Sequence, residues 1–384
     1  MRVLVVGAGF AGAVYARYLA EHGHYVSVID SRDHIGGNAY DYVDQTGVRI
    51  HKYGPHLFHT SNDGVVAWLK RFGEFVPYEH SVTVLKQSKF LPMPINRATF
   101  EVYYERKFNT DQDLAAFLKT ITVENESPRN AAEYLHSVIG VELTDIMFRP
   151  YTKKMWGRDL DDMDSAIVRR ISIQLGYEHR YFPKDAFQLL PRDGYEAIFR
   201  SIFDHKNIEV SLRTHYDRIM SEEFSHTFSS AAIDEHFGYE FGELPYRSII
   251  FHNHRVSEQD ACVPTSVVNY SDDSAFTRET RWHMLPRHHV FESGVTIKTI
   301  EEPCDFRSNN RERYYPISDA AGNNRQRYVQ YKAAADKEAD LTFIGRCGSY
   351  QYLDMHQVIN QSMSGVQHWL ATRGFDRSAR ISLP

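Results

Sequence analysis

Residues 2–30 read RVLVVGAGFAGAVYARYLAEHGHYVSVID, and this stretch decides the fold. Val3 to Val6 form an apolar, β-branched run, the pattern of a strand buried on both faces. Gly7, Gly9 and Gly12 follow in the spacing G-x-G-x-x-G, with Ala8, Phe10 and Ala11 between them. The first glycine permits a tight turn, the second lets a pyrophosphate approach the backbone, and the third lets helix and strand pack closely. Val14, Tyr15, Tyr18 and Leu19 recur at helical spacing, and YVSVID reads as the second strand. The start of that helix offers free amides and a positive dipole end to a phosphate. Asp30 ends the second strand 23 residues after Gly7, placed to accept hydrogen bonds from an adenosine ribose. Strand, glycine turn, helix and acid in register predict a dinucleotide-binding domain.

The rest of the chain sets the frame around that domain. Its 384 residues exceed one compact core and predict two or three domains. With 42% hydrophobic and 24% charged residues and a net charge of −6, nothing points to nucleic acid or a membrane as partner. No apolar run approaches the roughly 20 residues that span a bilayer. Cys262, Cys304 and Cys347 are scattered, so neither a disulfide framework nor a zinc site is expected, and a reducing cytoplasm is the default. The unusual feature is aromatic: 24 Tyr and 23 Phe beside 20 His, most of them explained by large aromatic cores and some suited to stacking on sugars or bases.

The continuation SRDHIGGN (31–38) resembles the FAD proteins of the glutathione-reductase and amine-oxidase type rather than NAD dehydrogenases. That resemblance adds Ser31, Arg32, Gly36, Gly37 and Asn38 to the cofactor site, with FAD as the group bound. Near the other end, LTFIGRCGSYQYLD (341–354) reads as a strand, a loop carrying Arg346, and a helix from about Met355. Both chain ends thus build one domain, over 1–78, 190–246 and 330–384. The helical pattern of AAEYLHSVIGVELTDIMFRPYTKKMW (131–156) predicts a bundle over 98–165, with a mobile loop to about 180. RSIIFHNHRV (247–256), ACVPTSVVNY (261–270) and GVTIKTI (294–300) read as strands of an antiparallel sheet domain over 79–97 and 247–329. The expected class is therefore α/β: an FAD-binding Rossmann-type domain with an inserted α-helical bundle and an antiparallel β-sheet domain. The final RGFDRSARISLP (373–384) reads as a mobile tail.

Eight runs occur in one order: RDHIGGN (32–38), HKYGPHLFHT (51–60), LPMPIN (91–96), PYTKKMWG (150–157), GYEFGELPYRS (238–248), FTR (276–278), YYPI (314–317) and GSYQYLDMHQ (348–357). Over essentially its full length the chain resembles the bacterial UDP-galactopyranose mutase family. The resemblance implies a flavin-dependent isomerase that interconverts nucleotide-linked hexopyranose and hexofuranose, for cell-surface polysaccharide precursors. It implies reduced FAD, whose N5 attacks the anomeric carbon and displaces the nucleoside diphosphate. It assigns His59, Arg278, Tyr315, Tyr352 and Asp354 to the reacting centre, and His56, Arg346, Tyr352, Asp354 and Met355 to the flavin. Tyr151, Trp156, Arg170, Gln174, Tyr181, Phe187, Asn269, Arg278, Tyr315 and Tyr352 fall to the substrate. A cellular flavin reductant and a homodimer or higher oligomer are the implied partners.

Plain packing is the competing reading for Tyr151, Trp156 and the loop histidines. A metal site is not expected, because Gly54-Pro55 keeps His56 and His59 off one helical face and no carboxylate or cysteine cluster accompanies them. PRHH (286–289) reads as exposed loop without evident chemistry. Asp354 also has the position of a helix cap.

The chain departs from the family where nucleotide and sugar are recognised. Gln174 in IVRRISIQLGYEHRYF (167–182) takes the place of an arginine that closes over the diphosphate, leaving Arg170 and Arg180 as nearby cations. FQLLP (187–191) carries Phe187 for a tyrosine, and ETRWH (279–283) replaces the run after Arg278. Flavin chemistry with a drifted substrate follows, either UDP-galactopyranose or a dTDP-linked 6-deoxyhexose such as fucopyranose. The alternative activity is an FAD-dependent oxidoreductase of the amine-oxidase type.

Overall fold

The computed structural model describes residues 1–169, 173–257, 263–289, 294–319 and 322–374. Arg170, Cys262 and the tail 375–384 lie outside the described residues.

The strand Arg2–Val6 is the centre of a five-stranded parallel sheet, ordered Ile208–Leu212, Tyr25–Asp30, Arg2–Val6, His226–Ser229, Leu341–Phe343. Val5 pairs with Val28 on one side and Phe228 on the other, and Val3 and Val5 are wholly buried, as an apolar run in a covered parallel sheet must be. The helix Phe10–Glu21 packs Val14, Tyr15 and Leu19 into a core shared with Tyr195–Phe203 and Met355–Gly374. Gly12 is required there: a Cβ on it would stand 1.9 Å from the carbonyl oxygen of Gly7.

The second sheet has seven strands, ordered Tyr315–Pro316, Tyr246–Ser257, Val295–Asp305, Arg278–Arg281, Val267–Tyr270, Val82–Lys86, Lys89–Met93. Its pairings are antiparallel, as expected, with one exception: Val82–Lys86 runs parallel to Val267–Tyr270. The long segment between those two strands makes that pairing feasible, since a parallel pair needs a crossover rather than a hairpin.

The first part of that crossover, from Arg97 to Trp156, is largely helical. Asn96, Thr110 and Asn130 each accept the N–H of the third helical residue and so start the helices Arg97–Tyr104, Asp111–Ile121 and Ala131–Ile139. The stretch 141–156 is not one regular helix. It widens into a π-turn at Thr144–Phe148 before Arg149–Trp156, where Pro150 brings no N–H to the ladder. A three-stranded sheet, Phe58–Thr60, Phe187–Pro191 and Phe75–Pro77, carries the end of the histidine-rich loop.

Candidate active site

A cleft of about 740 Å³ opens at the carboxyl ends of the parallel strands, the place where such sheets bind ligands. Gly7, Gly9, Phe10, Ala11, Asp30, Ser31, Arg32, Gly36, Gly37, Asn38, His56, Arg346 and Met355 all line it. The glycine turn and the 36–37 turn meet across it. Gly37 has φ +55°, and a Cβ there would stand 2.9 Å from the Cα of Gly9. Gly9 caps the helix Phe10–Glu21 without a side chain, and no acid sits in the first turn, so the first amides are left for an anion. This cradle fits the pyrophosphate of a flavin dinucleotide.

Asp30 is fixed by its own neighbours, its two carboxylate oxygens accepting the N–H groups of Ala8 at 2.8 Å and Arg32 at 2.9 Å. Arg32 pairs with Glu312, donates to Oδ1 of Asn38 at 2.9 Å, and lies 4.4 Å over the ring of Tyr53. Its charge is therefore compensated before any phosphate arrives. Arg346 donates to the carbonyl oxygen of Leu353 at 2.5 Å and lies 5.2 Å over Tyr352. Asp354 does not line the cleft, whereas Leu353 and Met355 on either side do. At that helix start Oε1 of Gln357 accepts the N–H of Asp354 at 2.8 Å, the bond that the third helical residue returns to the cap position in a capping box.

On the seven-stranded sheet, register brings a polar row together. Asn269 stands opposite Arg278, Arg278 opposite Glu301, and Glu301 opposite Phe251. Cross-strand partners share a face. Arg278 donates from Nη2 to Oε2 of Glu301 at 2.7 Å. The remaining atoms, Nε of Arg278, Oε1 of Glu301 and Oδ1 of Asn269, are buried without a hydrogen-bond partner. Buried polar groups are almost always paired, so three orphans in one row mark a place for a polar ligand. Burial opposes the Arg278 charge, but Glu301, Tyr151 and Tyr315 outweigh it and hold its pKa well above the ordinary value. Gly54 of the histidine-rich loop abuts the same carboxylate: a Cβ there would stand 2.9 Å from Oε1 of Glu301. The loop that lines the cleft thus touches the polar row directly.

Aromatic rings frame the row. Trp156 lies 6.1 Å from Tyr315 and 6.3 Å from Tyr352, and Tyr315 lies 5.5 Å from Tyr352. Tyr151 joins Trp156 and Tyr315 in one apolar cluster, and burial pushes its phenol up to about 12. Arg247 anchors this helix by donating to the carbonyl oxygens of Met155 at 2.8 Å and Lys154 at 2.9 Å. Neither Arg247 nor Glu301 is singled out by sequence reading. Each sits on a long strand whose alternation leaves several inward polar positions indistinguishable.

Other expected residues fall elsewhere. His59 stacks on Phe182 at 3.5 Å and its Nδ1 lies 2.7 Å from Oδ2 of Asp185. Phe187 does not join the aromatic frame; it pairs with Thr60 and packs against the core of the parallel sheet. Gln174 donates its N–H to the carbonyl oxygen of Ile95 at 2.8 Å, within a loop that Asn96 and Arg97 hold through Glu178, Leu175 and Gly176. Arg180 is paired with Glu178 at 2.6 Å. The backbone N–H of Tyr181 donates to the carbonyl oxygen of His80 at 2.7 Å. His80 is a further residue missed from sequence: it is buried, with Nδ1 unpartnered, in the field of Arg278 and His59.

Burial lowers the pKa of His56 to about 4, of His80 to about 3 and of His288 to about 4. A depressed histidine binds its proton more readily in the unfolded chain, so its contribution to stability is whole above about pH 6.5 and is lost as pH falls toward 4. Between pH 6.5 and 5 each such ring is expected to cost about 2 kcal/mol. Urea unfolding at the two pH values measures this; equal midpoints would contradict it.

A family model for UDP-galactopyranose mutase matches residues 146–352, and one for NAD(P)-binding Rossmann-like domains matches 5–72. The chain is 32% identical to a probable UDP-galactopyranose mutase of Klebsiella pneumoniae over 96% of this chain and 95% of that one. It is 33% identical to a dTDP-fucopyranose mutase of Escherichia coli over 96% of this chain and 98% of that one. The solved structure of a reduced UDP-galactopyranose mutase superposes with a TM-score of 0.72 at 14% identity, covering 97% of this chain and 96% of that one. This full-length likeness makes the chain a member of the UDP-galactopyranose mutase family.

Proposed function

We propose that the chain binds FAD and, with the flavin reduced, interconverts the pyranose and furanose forms of a nucleotide-diphosphate hexose. The observation that carries this reading is the buried row of Asn269, Arg278 and Glu301, with three unpartnered atoms, beside four aromatic rings and in contact with the loop that lines the dinucleotide cleft. The full-length relatives named above are mutases, which favours isomerisation over an amine-oxidase type of turnover.

A reduced flavin supplies a nucleophile for the anomeric carbon. The chain's own groups do the rest. Arg278 offers a charged fork to the diphosphate, and its bond strengthens as the leaving group gains charge. Burial raises the Tyr315 phenol, so it stays protonated and donates a hydrogen bond to a phosphate oxygen. Tyr151 and Trp156 stack on the base, at roughly 1–3 kcal/mol per base. His56, kept neutral by burial, is a hydrogen-bond acceptor at the flavin rather than a competing cation. A cellular reductant keeps the flavin active, and the enzyme works as a homo-oligomer in the cytoplasm. Among the described residues no helix is long and apolar enough to cross a membrane.

The substrate is UDP-galactose or a dTDP-linked 6-deoxyhexose, and position 174 is the discriminating residue. Dithionite-reduced enzyme is expected to interconvert at least one of UDP-galactopyranose and dTDP-fucopyranose, with no turnover in the oxidised state. Gln174→Arg adds a charged hydrogen bond and is expected to change the ratio of the two rates by about tenfold or more. No ring contraction of either sugar by reduced enzyme would sink the mutase reading; an unchanged ratio would sink the role of Gln174.

A further inference from the structure

The PRHH run at 286–289 is not an exposed loop. His288 is 1% exposed, and its Nε2 lies 2.9 Å from Nε2 of His51, which is wholly buried. The backbone joins the two segments as well, the N–H of Arg49 donating to the carbonyl oxygen of His288 at 2.7 Å.

The proton positions on this pair follow from their other partners. Nδ1 of His288 lies 3.0 Å from the carbonyl oxygen of Pro286, which only accepts, so that nitrogen carries the hydrogen. Nδ1 of His51 accepts the backbone N–H of His56 at 3.0 Å, so the hydrogen of His51 is on Nε2. His51 therefore donates from Nε2–H to the bare Nε2 of His288. Burial keeps both rings neutral. The nearest carboxylate, Asp41, is 4.0 Å from Nε2 of His51, outside hydrogen-bond range, and accepts the N–H groups of Tyr195 and Glu196 instead.

The chain of bonds ends at the cofactor cleft. His56, whose backbone His51 holds, lines that cleft, and its Nδ1 is tied to the carbonyl oxygen of Gly54 at 2.9 Å. Its Nε2 is thereby left as the acceptor of the ring.

We infer that His51 and His288 are positioning residues for the flavin: interlocked by one hydrogen bond, they clamp the backbone of His56 and so fix the place of its ring in the cofactor cleft. This rests on the cofactor reading given above. A two-electron-reduced flavin carries an additional N–H hydrogen, and a fixed neutral acceptor favours that form. Loss of the clamp then weakens the reduced state selectively, which ordinary loss of packing does not.

The test is the midpoint potential of the flavin in the loaded holoenzyme. His288→Leu removes the acceptor for His51 and is expected to lower the preference for the reduced form at least tenfold, a shift of about 30 mV for a two-electron couple. His288→Gln places an amide oxygen where Nε2 stood and is expected to retain the wild-type potential. In a His51→Asn background, the asparagine accepts the His56 N–H without help, so His288→Leu is expected to add no further shift. A preference within threefold of wild type in His288→Leu, or no rescue by His288→Gln, overturns the proposal. If His288→Leu holds no flavin, the double variant His51→Asn/His288→Leu decides: regained flavin supports the clamp and continued loss overturns it. A wild-type chain that takes up no flavin would instead sink the cofactor reading itself.

Discussion

Arg278→Ala is expected to lower kcat on the nucleotide sugar by about 10²–10³, the loss typical when one charged donor is taken from a developing anion. The same substitution leaves Glu301, only 1% exposed, buried without its cation, which costs about 3–5 kcal/mol of stability. The two effects are separable. Arg278→Met with Glu301→Gln removes both charges and is expected to recover much of the melting temperature but none of the turnover. Arg278→Lys keeps the charge and loses the fork, and falls between wild type and alanine. Steady-state turnover of reduced enzyme beside thermal melting measures all four proteins. If kcat in Arg278→Ala stays within threefold of wild type, the diphosphate does not meet this row.

Gly9→Ala is expected to weaken flavin retention by about ten- to a hundredfold without harm to the fold. Gly9 has φ −83°, open to any residue, and a Cβ there would find its nearest neighbour, the Cα of Gly37, at an ordinary 3.5 Å. Nothing in the protein itself demands glycine at this position. The methyl group would stand between the two turns where a pyrophosphate has to lie, and overpacking of 1–3 kcal/mol weakens binding by about ten- to a hundredfold. The flavin-to-protein absorbance ratio after desalting and the melting temperature of the flavin-free protein measure the two halves. A variant that keeps its flavin places the pyrophosphate elsewhere; one that unfolds means that Gly9 serves the fold.

What the sequence made legible was local. Strand, turn, helix and Asp30 lie within residues 2–30, and each reports its own environment through spacing and residue type. The same holds for Gly36 and Gly37, whose role depends on a turn next to the first one. The polar row was half legible: family likeness pointed to Asn269 and Arg278, but their alignment with Glu301 is a matter of strand register that no local pattern reveals. The histidines of 51–60 show the limit most clearly. Three identical side chains in ten residues have three environments: His51 is sealed against His288, His56 faces the cleft, and His59 stacks on Phe182. Partners 237 and 126 residues away decide which is which. Phe187 is placed in the same way, its strand pairing with Thr60 setting its ring partly against the core of the parallel sheet.

The order of strands in the parallel sheet also governs how the enzyme is born. Its edge strand, Leu341–Phe343, and the Gly345–Arg346 wall of the cleft are synthesised long after the central strand Arg2–Val6. Until then the strand His226–Ser229 has an open edge, ready to pair with another nascent chain. The cleft wall is thus incomplete until residues 341–346 have emerged, and a chain stopped before residue 341 is left with an aggregation-prone edge.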